Sequence, residues 1–168
     1  MAGIEYRRFE TERDLDEVLA LYRRAINHID TSLYSEDQRR AWLYWAQRRD
    51  MALERLCQGV TVLAVRDQDL LAFAQLNPTD LINMLYVDPA HERQGLGGAL
   101  IDVLERIACR AGVTLIRTRA SDVSLTLFQR KGFRAQKREN MDVGGTPLAR
   151  TTLFKPLPDG SRKARRQA

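Results

Sequence analysis

Histidine and cysteine are scarce in this chain: its 168 residues hold two of each. His28 and His91 lie far apart, with no partner at metal-ligand spacing, which argues against a zinc site and predicts a protein without metal. Cys57 and Cys109 lack CxxC spacing and sit in helix-like surroundings, so they read as ordinary thiols of a reducing compartment. No apolar run approaches the roughly 18 residues that a membrane span needs. The start, MAGIEYRRFETERD, carries no apolar stretch of the kind a signal peptide requires. These absences predict a cytoplasmic protein with no membrane partner.

What is present fits one globular domain. Hydrophobic residues make up 44% and charged residues 29% of the chain, ordinary proportions for a protein with a core. The formal net charge of +5 owes much to the end, GSRKARRQA, which has four basic residues and no acidic one. That end reads as a disordered, solvated tail. No aromatic residue is interleaved with its charges, so nucleic acid is not an expected partner.

Periodicity orders the rest. IEYRRFE alternates as a strand. Thr11 and Asp14 form a capping box ahead of Leu15, Val18, Leu19, Tyr22, Ala25 and Ile26, which repeat at helical spacing. Ser35 caps a second helical stretch through Ala41, Trp42 and Trp45, both tryptophans read as core; a short helix over DMALERLCQ stops at Gly59. VTVLAV and LLAFAQL flank the polar RDQD as a hairpin, and LINMLYV follows as a third strand. A long helix from Gly95 to Gly112, a strand VTLIRT, a helix from Ser121 to Gly132 and two strands joined at a Gly-Gly turn complete the order. That order predicts a single-domain α/β protein, a mixed sheet with helices on both faces.

The segment HERQGLGGAL sets three glycines within four positions at the start of the long helix. A helix N-terminus exposes unpaired N–H groups and a partial positive charge, and side chains would keep a ligand from them. Glycine at 95, 97 and 98 predicts an anion, a pyrophosphate above all, lying against the main chain. A P-loop is excluded because no lysine follows; a Rossmann turn fails because Leu100 stands where its third glycine belongs.

LYVDPAHERQGLGGALIDVLE resembles the central motif of the GNAT superfamily of acyl-CoA-dependent N-acetyltransferases, in which a strand ending L-x-V-x-P leads to [QR]-x-x-G-x-[GA]. ASDVSLTLFQRKGF is similar to that family's later N-x-x-A-x-x-F-Y-x-x-x-G-F motif. Tyr34, Ser35, Gln38, Ala41 and Trp42 match the Tyr-Ser-x-x-Gln-x-x-Ala-Trp pattern of one bacterial branch. The resemblance implies a GNAT domain over residues 1–156, with 157–168 as the tail, and a central, mostly antiparallel sheet with one splayed parallel strand pair. It implies an enzyme that moves an acetyl group from acetyl-CoA to a primary amine of a small molecule or protein, as a monomer or homodimer.

By the same resemblance, the amides of Arg93, Gln94, Gly95, Leu96, Gly97 and Gly98 hold the coenzyme pyrophosphate, and Leu85, Tyr86 and Val87 line the pantetheine arm. The Leu85 N–H polarises the acetyl carbonyl, an oxyanion-type contribution that needs only backbone. Four positions depart from the family pattern. Glu92 stands for Gln or Arg, Ser121 for the Asn beside the arm, Phe128 for the Tyr that protonates the departing thiolate, and Leu81 for a glutamate base. Asn83, expected on the strand face of Leu81 and Leu85, is the candidate for orienting a water, and Tyr34 the candidate for the acceptor wall. The alternative to an enzyme is a GNAT-type module that senses acyl-CoA through a protein partner.

Overall fold

A computed structural model describes residues 3–158; the predicted tail from 159 onward lies outside the described residues. Strand β1 (Glu5–Arg8) leads into helix α1 (Thr11–His28), which buries Leu15, Val18, Leu19, Tyr22 and Ile26 along one stripe. The helix is capped one residue earlier than the Thr11–Asp14 pattern predicts. Glu10 is the N-cap, and the buried Asp14 carboxylate accepts the Glu10 N–H at 2.7 Å while pairing with both Nη atoms of Arg7.

Ser35 and Gln38 do form a full capping box at the start of α2 (Glu36–Trp42). The helix then gives way to a 3-10 turn (Tyr44–Gln47), so Trp45 belongs to a separate element, followed by α3 (Arg49–Cys57). Strands β2 (Val60–Arg66) and β3 (Asp69–Leu76) join at Asp67 and Gln68, both with positive φ, the geometry that matches hairpin twist. Next come β4 (Leu81–Val87), α4 (Leu96–Arg110), β5 (Leu115–Ala120), α5 (Leu125–Arg130), β6 (Arg134–Val143) and β7 (Thr146–Pro156).

The seven strands form one sheet in the order β1-β2-β3-β4-β5-β7-β6, antiparallel throughout except for β4 and β5. This is the mixed, mostly antiparallel α/β domain expected. Each face carries its own core. Leu63, Phe73 and Met84 pack with α1 and α3, whereas Ala72, Ala74, Leu76 and Ile82 pack with α4 and Phe128 of α5. The core reaches past the predicted domain end: Leu157 is buried and its N–H donates to the Thr114 carbonyl at 2.8 Å.

Candidate active site

The sheet opens just past its parallel pair. Among the described residues, strands β4 and β5 match at Leu81–Arg117 and Ile82–Thr118 and part beyond them. Thr118 Oγ1 donates to the Ile82 carbonyl at 3.0 Å and closes the apex. Farther along β4, the Asp88 N–H donates to the Leu71 carbonyl at 2.9 Å, so Val87 and Ala72 form a non-hydrogen-bonded antiparallel pair, as do Leu85 and Ala74 two residues back. The N–H and C=O groups of Leu85 and Val87 therefore point away from β3, into the gap.

A cleft of about 740 Å³ runs from that gap to the start of α4 on one side and to the end of α1 on the other. At α4, Gly95 is the N-cap with φ +82°, a left-handed conformation that favours glycine. The first in-helix hydrogen bond is Ala99 N–H to Gly95 C=O, so the amides of Leu96, Gly97 and Gly98 have no acceptor within the helix, and no side chain caps them. Gly97 lines the cleft and also lies close to α5: a Cβ there would stand 2.8 Å from Leu127 Cδ2. Gly98 has room, with Lys131 Cδ at 3.8 Å from a would-be Cβ.

The loop before α4 is held to α1. Asp88 accepts the Ala90 N–H at 3.0 Å and the Arg24 Nε at 2.9 Å. Burial opposes ionisation of Asp88, but the Ala90 amide and the Arg24 guanidinium outweigh it and keep its carboxyl below the usual range.

Of the residues singled out from sequence, Asn83, Leu85, Tyr86, Val87, Arg93, Gly95, Leu96, Gly97, Gly98, Ser121 and Phe128 line this cleft, whereas Gln94 and Tyr34 do not. Asn83 sits in a bulge, since Gln75 pairs with Met84 but Leu76 with Ile82. The extra residue breaks the alternation that put Asn83 on the face of Leu85. Its Nδ2 donates to Gln75 Oε1 at 3.0 Å, and Gln75 is itself bonded to the Arg55 and Gln58 carbonyls. What Asn83 can offer the cleft is its Oδ1. Leu81 is buried and contributes no lining.

Phe128 packs edge-on against Phe133 with ring centroids 5.2 Å apart. Ser121 precedes α5 rather than capping it. Its carbonyl accepts the Ser124 and Leu125 amides, and its Oγ lies 3.3 Å from Ser124 Oγ, both serines lining the cleft.

Tyr34 is a tie, not an acceptor wall. It is buried; its hydroxyl donates to the Ala149 carbonyl and accepts the Asp122 N–H, both at 3.0 Å, and burial raises its phenol above the ordinary value. Removing it strands a part-buried donor and acceptor, so Tyr34→Phe is expected to cost about 1 kcal/mol, read as a lower urea midpoint at unchanged slope.

Other lining residues escaped the sequence reading. Trp42, expected in the core, forms part of the wall and donates its Nε1 to the Tyr86 hydroxyl at 3.2 Å. His28, Asp30, His91 and Arg119 also line the cleft, and His91 Nδ1 is buried without a partner among the described residues. They come from separate segments with no shared spacing, so no motif joins them. No group of three His, Cys, Asp or Glu side chains able to hold a metal occurs among the described residues, nor does a helix long and apolar enough to cross a membrane.

A splayed sheet whose open strand edge shares a cleft with a bare helix start defines a class of acyl-transfer folds, and comparison with known proteins agrees. A family model described as an acetyltransferase (GNAT) domain matches residues 57–135. A GCN5-related N-acetyltransferase from Rhodopseudomonas palustris is 30% identical, with a TM-score of 0.89 over 94% of this chain and 98% of that one. YafP, an N-acetyltransferase of Escherichia coli K12, is 26% identical over 86% of this chain and 91% of its own length. PaiA N-acetyltransferase of Thermoplasma acidophilum, solved with coenzyme A, shares the fold at 19% identity and a TM-score of 0.74, over 92% of this chain and 99% of that one. The chain belongs to the GNAT superfamily of N-acetyltransferases.

Proposed function

We propose that this protein transfers the acetyl group of acetyl-CoA to a primary amine by direct attack. The observation that carries the reading is the junction of two features in one cleft: the unpaired edge of Leu85 and Val87, and the free amides of Leu96, Gly97 and Gly98. An amide-lined helix start suits a diphosphate. An open strand edge suits the amide-bearing pantetheine arm, which adds to it as a further strand would. Coenzyme A in the complex of PaiA supports acetyl-CoA as the donor substrate.

In this reading the Leu85 N–H donates to the thioester oxygen as negative charge develops there. The amine nitrogen bonds to the acetyl carbon, the C–S bond breaks, and the sulfur takes the electron pair. Phe128 has no proton to give, yet a thiol of ordinary pKa, about 8.5, leaves as thiolate near neutrality. The Ser121 and Ser124 hydroxyls are the nearby proton carriers. The attacking amine must first lose a proton, and a water held by Asn83 Oδ1 takes it toward bulk solvent. The acceptor is a small-molecule or protein amine, and the enzyme acts as a monomer or homodimer in the cytoplasm.

A second reading, an acyl-CoA sensor without turnover, draws on Phe128 and Leu81, which remove an acid and a base at two positions where the family often has them. Titration with coenzyme A and thiol release from acetyl-CoA with an amine panel separate the two. The enzyme reading expects amine-dependent thiol release at least about 10²-fold above hydrolysis. Tight binding with no amine-dependent release favours the sensor, and absence of binding removes both.

A further inference from the structure

We infer that the acceptor is a small monoamine with a broad apolar skeleton, of aryl-alkyl type, received by an apolar mouth that Leu33 and Val123 frame. This rests on the acetyltransferase reading and deepens it. Leu33 and Val123 are 52% and 51% exposed, large apolar side chains left in solvent. Single exposed apolar residues are common and need no explanation; these two line the same cleft, whereas Tyr44 and Met51, also exposed, do not.

Each is the chain neighbour of one member of the Tyr34–Asp122 hydrogen bond, so the tie that joins their two loops also holds the two lips together. The frame is fixed from a third side by Arg138, whose guanidinium pairs with both Asp122 oxygens at 2.6 and 2.9 Å. Inward from Leu33 the wall continues through Ile29, Ile26, Trp42 and Met84, all in or against the core on the α1 face, opposite the α4 start. The donor's diphosphate site and this wall therefore lie at opposite ends of one cleft.

The polar groups at this end are few. Asp30 is an exposed carboxylate on the rim, and its Oδ1 accepts the Ser32 N–H at 2.7 Å. The bond from Ser32 keeps its carboxyl below the ordinary range, so at neutral pH it draws a cationic amine to the mouth before the amine moves inward and loses its proton. His28, Asn83 and the Arg119 guanidinium complete the set, and the cation of Arg119 disfavours a second ammonium beside the first. A diamine or polyamine would bring a second ammonium against Ile26 and Ile29, where nothing replaces its water. A lysine side chain, a slender methylene stem, would cover less of the apolar wall of Ile26, Ile29, Trp42 and Met84 than a ring does.

The test is steady-state thiol release at saturating acetyl-CoA with three probes: 2-phenylethylamine, putrescine and Nα-acetyl-lysine amide. Wild type is compared with Leu33→Ser/Val123→Ser and Leu33→Phe, and coenzyme A binding is titrated for each. Expected is a kcat/KM for 2-phenylethylamine about tenfold or more above the other two, as apolar pocket contacts provide. The double serine variant should lose about tenfold for that amine through KM and clearly less for putrescine, with coenzyme affinity retained, and Leu33→Phe should retain the preference. Equal or better use of putrescine or the lysine amide, or indifference to the double variant, overturns the inference and leaves the acetyltransferase reading standing. Coenzyme binding without thiol release from any amine overturns both.

Discussion

Gly98→Val is expected to fold as the wild type does and to bind coenzyme A about tenfold more weakly or worse, because a hydrogen bond to a charged oxygen contributes roughly 1.5–3 kcal/mol. Gly98 lines the cleft, and the space where its Cβ would go meets only Lys131 Cδ at 3.8 Å. Valine also suits a helix better than glycine by a few tenths of a kcal/mol. Folding is thus spared while a branched side chain stands beside the free amides of Leu96 and Gly97. Gly97→Leu is the contrasting case. Its side chain meets Leu127 of α5 and Val87 of β4, and overpacking there is expected to cost about 2 kcal/mol. Isothermal titration with coenzyme A and urea denaturation of both variants separate the two roles. Full coenzyme affinity in Gly98→Val would remove the helix start from the binding site.

Arg7→Leu is expected to destabilise the protein by about 3 kcal/mol at pH 7, since it leaves a buried carboxylate with only the Glu10 N–H and the more distant Arg13. Asp14 is 2% exposed and takes both Arg7 Nη atoms at 2.6 and 2.7 Å. Burial pushes the Asp14 carboxyl up, but the Arg7 guanidinium and the Glu10 amide outweigh it, so in the folded protein it titrates below its ordinary value. A carboxyl lowered on folding stabilises the native state above the unfolded pKa, about 3.9, and that contribution fades as pH falls through the folded pKa. Without Arg7, only the Glu10 amide and Arg13 oppose burial, so the carboxyl rises from its depressed value and this contribution shrinks. The gap between wild type and Arg7→Leu should therefore be widest near neutrality and contract below about pH 4. A gap that stays constant with pH would mean that Asp14 is not the group involved.

Much of the fold was legible because local chemistry and tertiary packing agree. The stripe of Leu15, Val18, Leu19, Tyr22 and Ile26 is buried as its spacing predicts, and Ser35 caps its helix as expected, with Gln38 completing the box. The failures fall where a contact from elsewhere overrides a local pattern. Thr11 loses the cap to Glu10 because Asp14 is drawn into a pair with Arg7 of the neighbouring strand. Asn83 leaves its predicted face because the sheet bulges there, which strand alternation cannot foresee. Tyr34 matched a family motif, yet its hydroxyl is spent on Ala149 and Asp122, more than 80 residues away along the chain.

The sequence by itself determined the order of elements, the bare helix start at Gly95 and the family. Each of these depends on residues close together in the chain, where periodicity and glycine's missing side chain act directly. Only the tertiary structure decided that Gly97 lies against Leu127, that Leu85 and Val87 face an open edge, and that Leu33, Trp42, Asp30 and Val123 share one cleft with them. Those facts depend on which strands part and which loops meet, and such long-range geometry leaves no periodic trace along the chain.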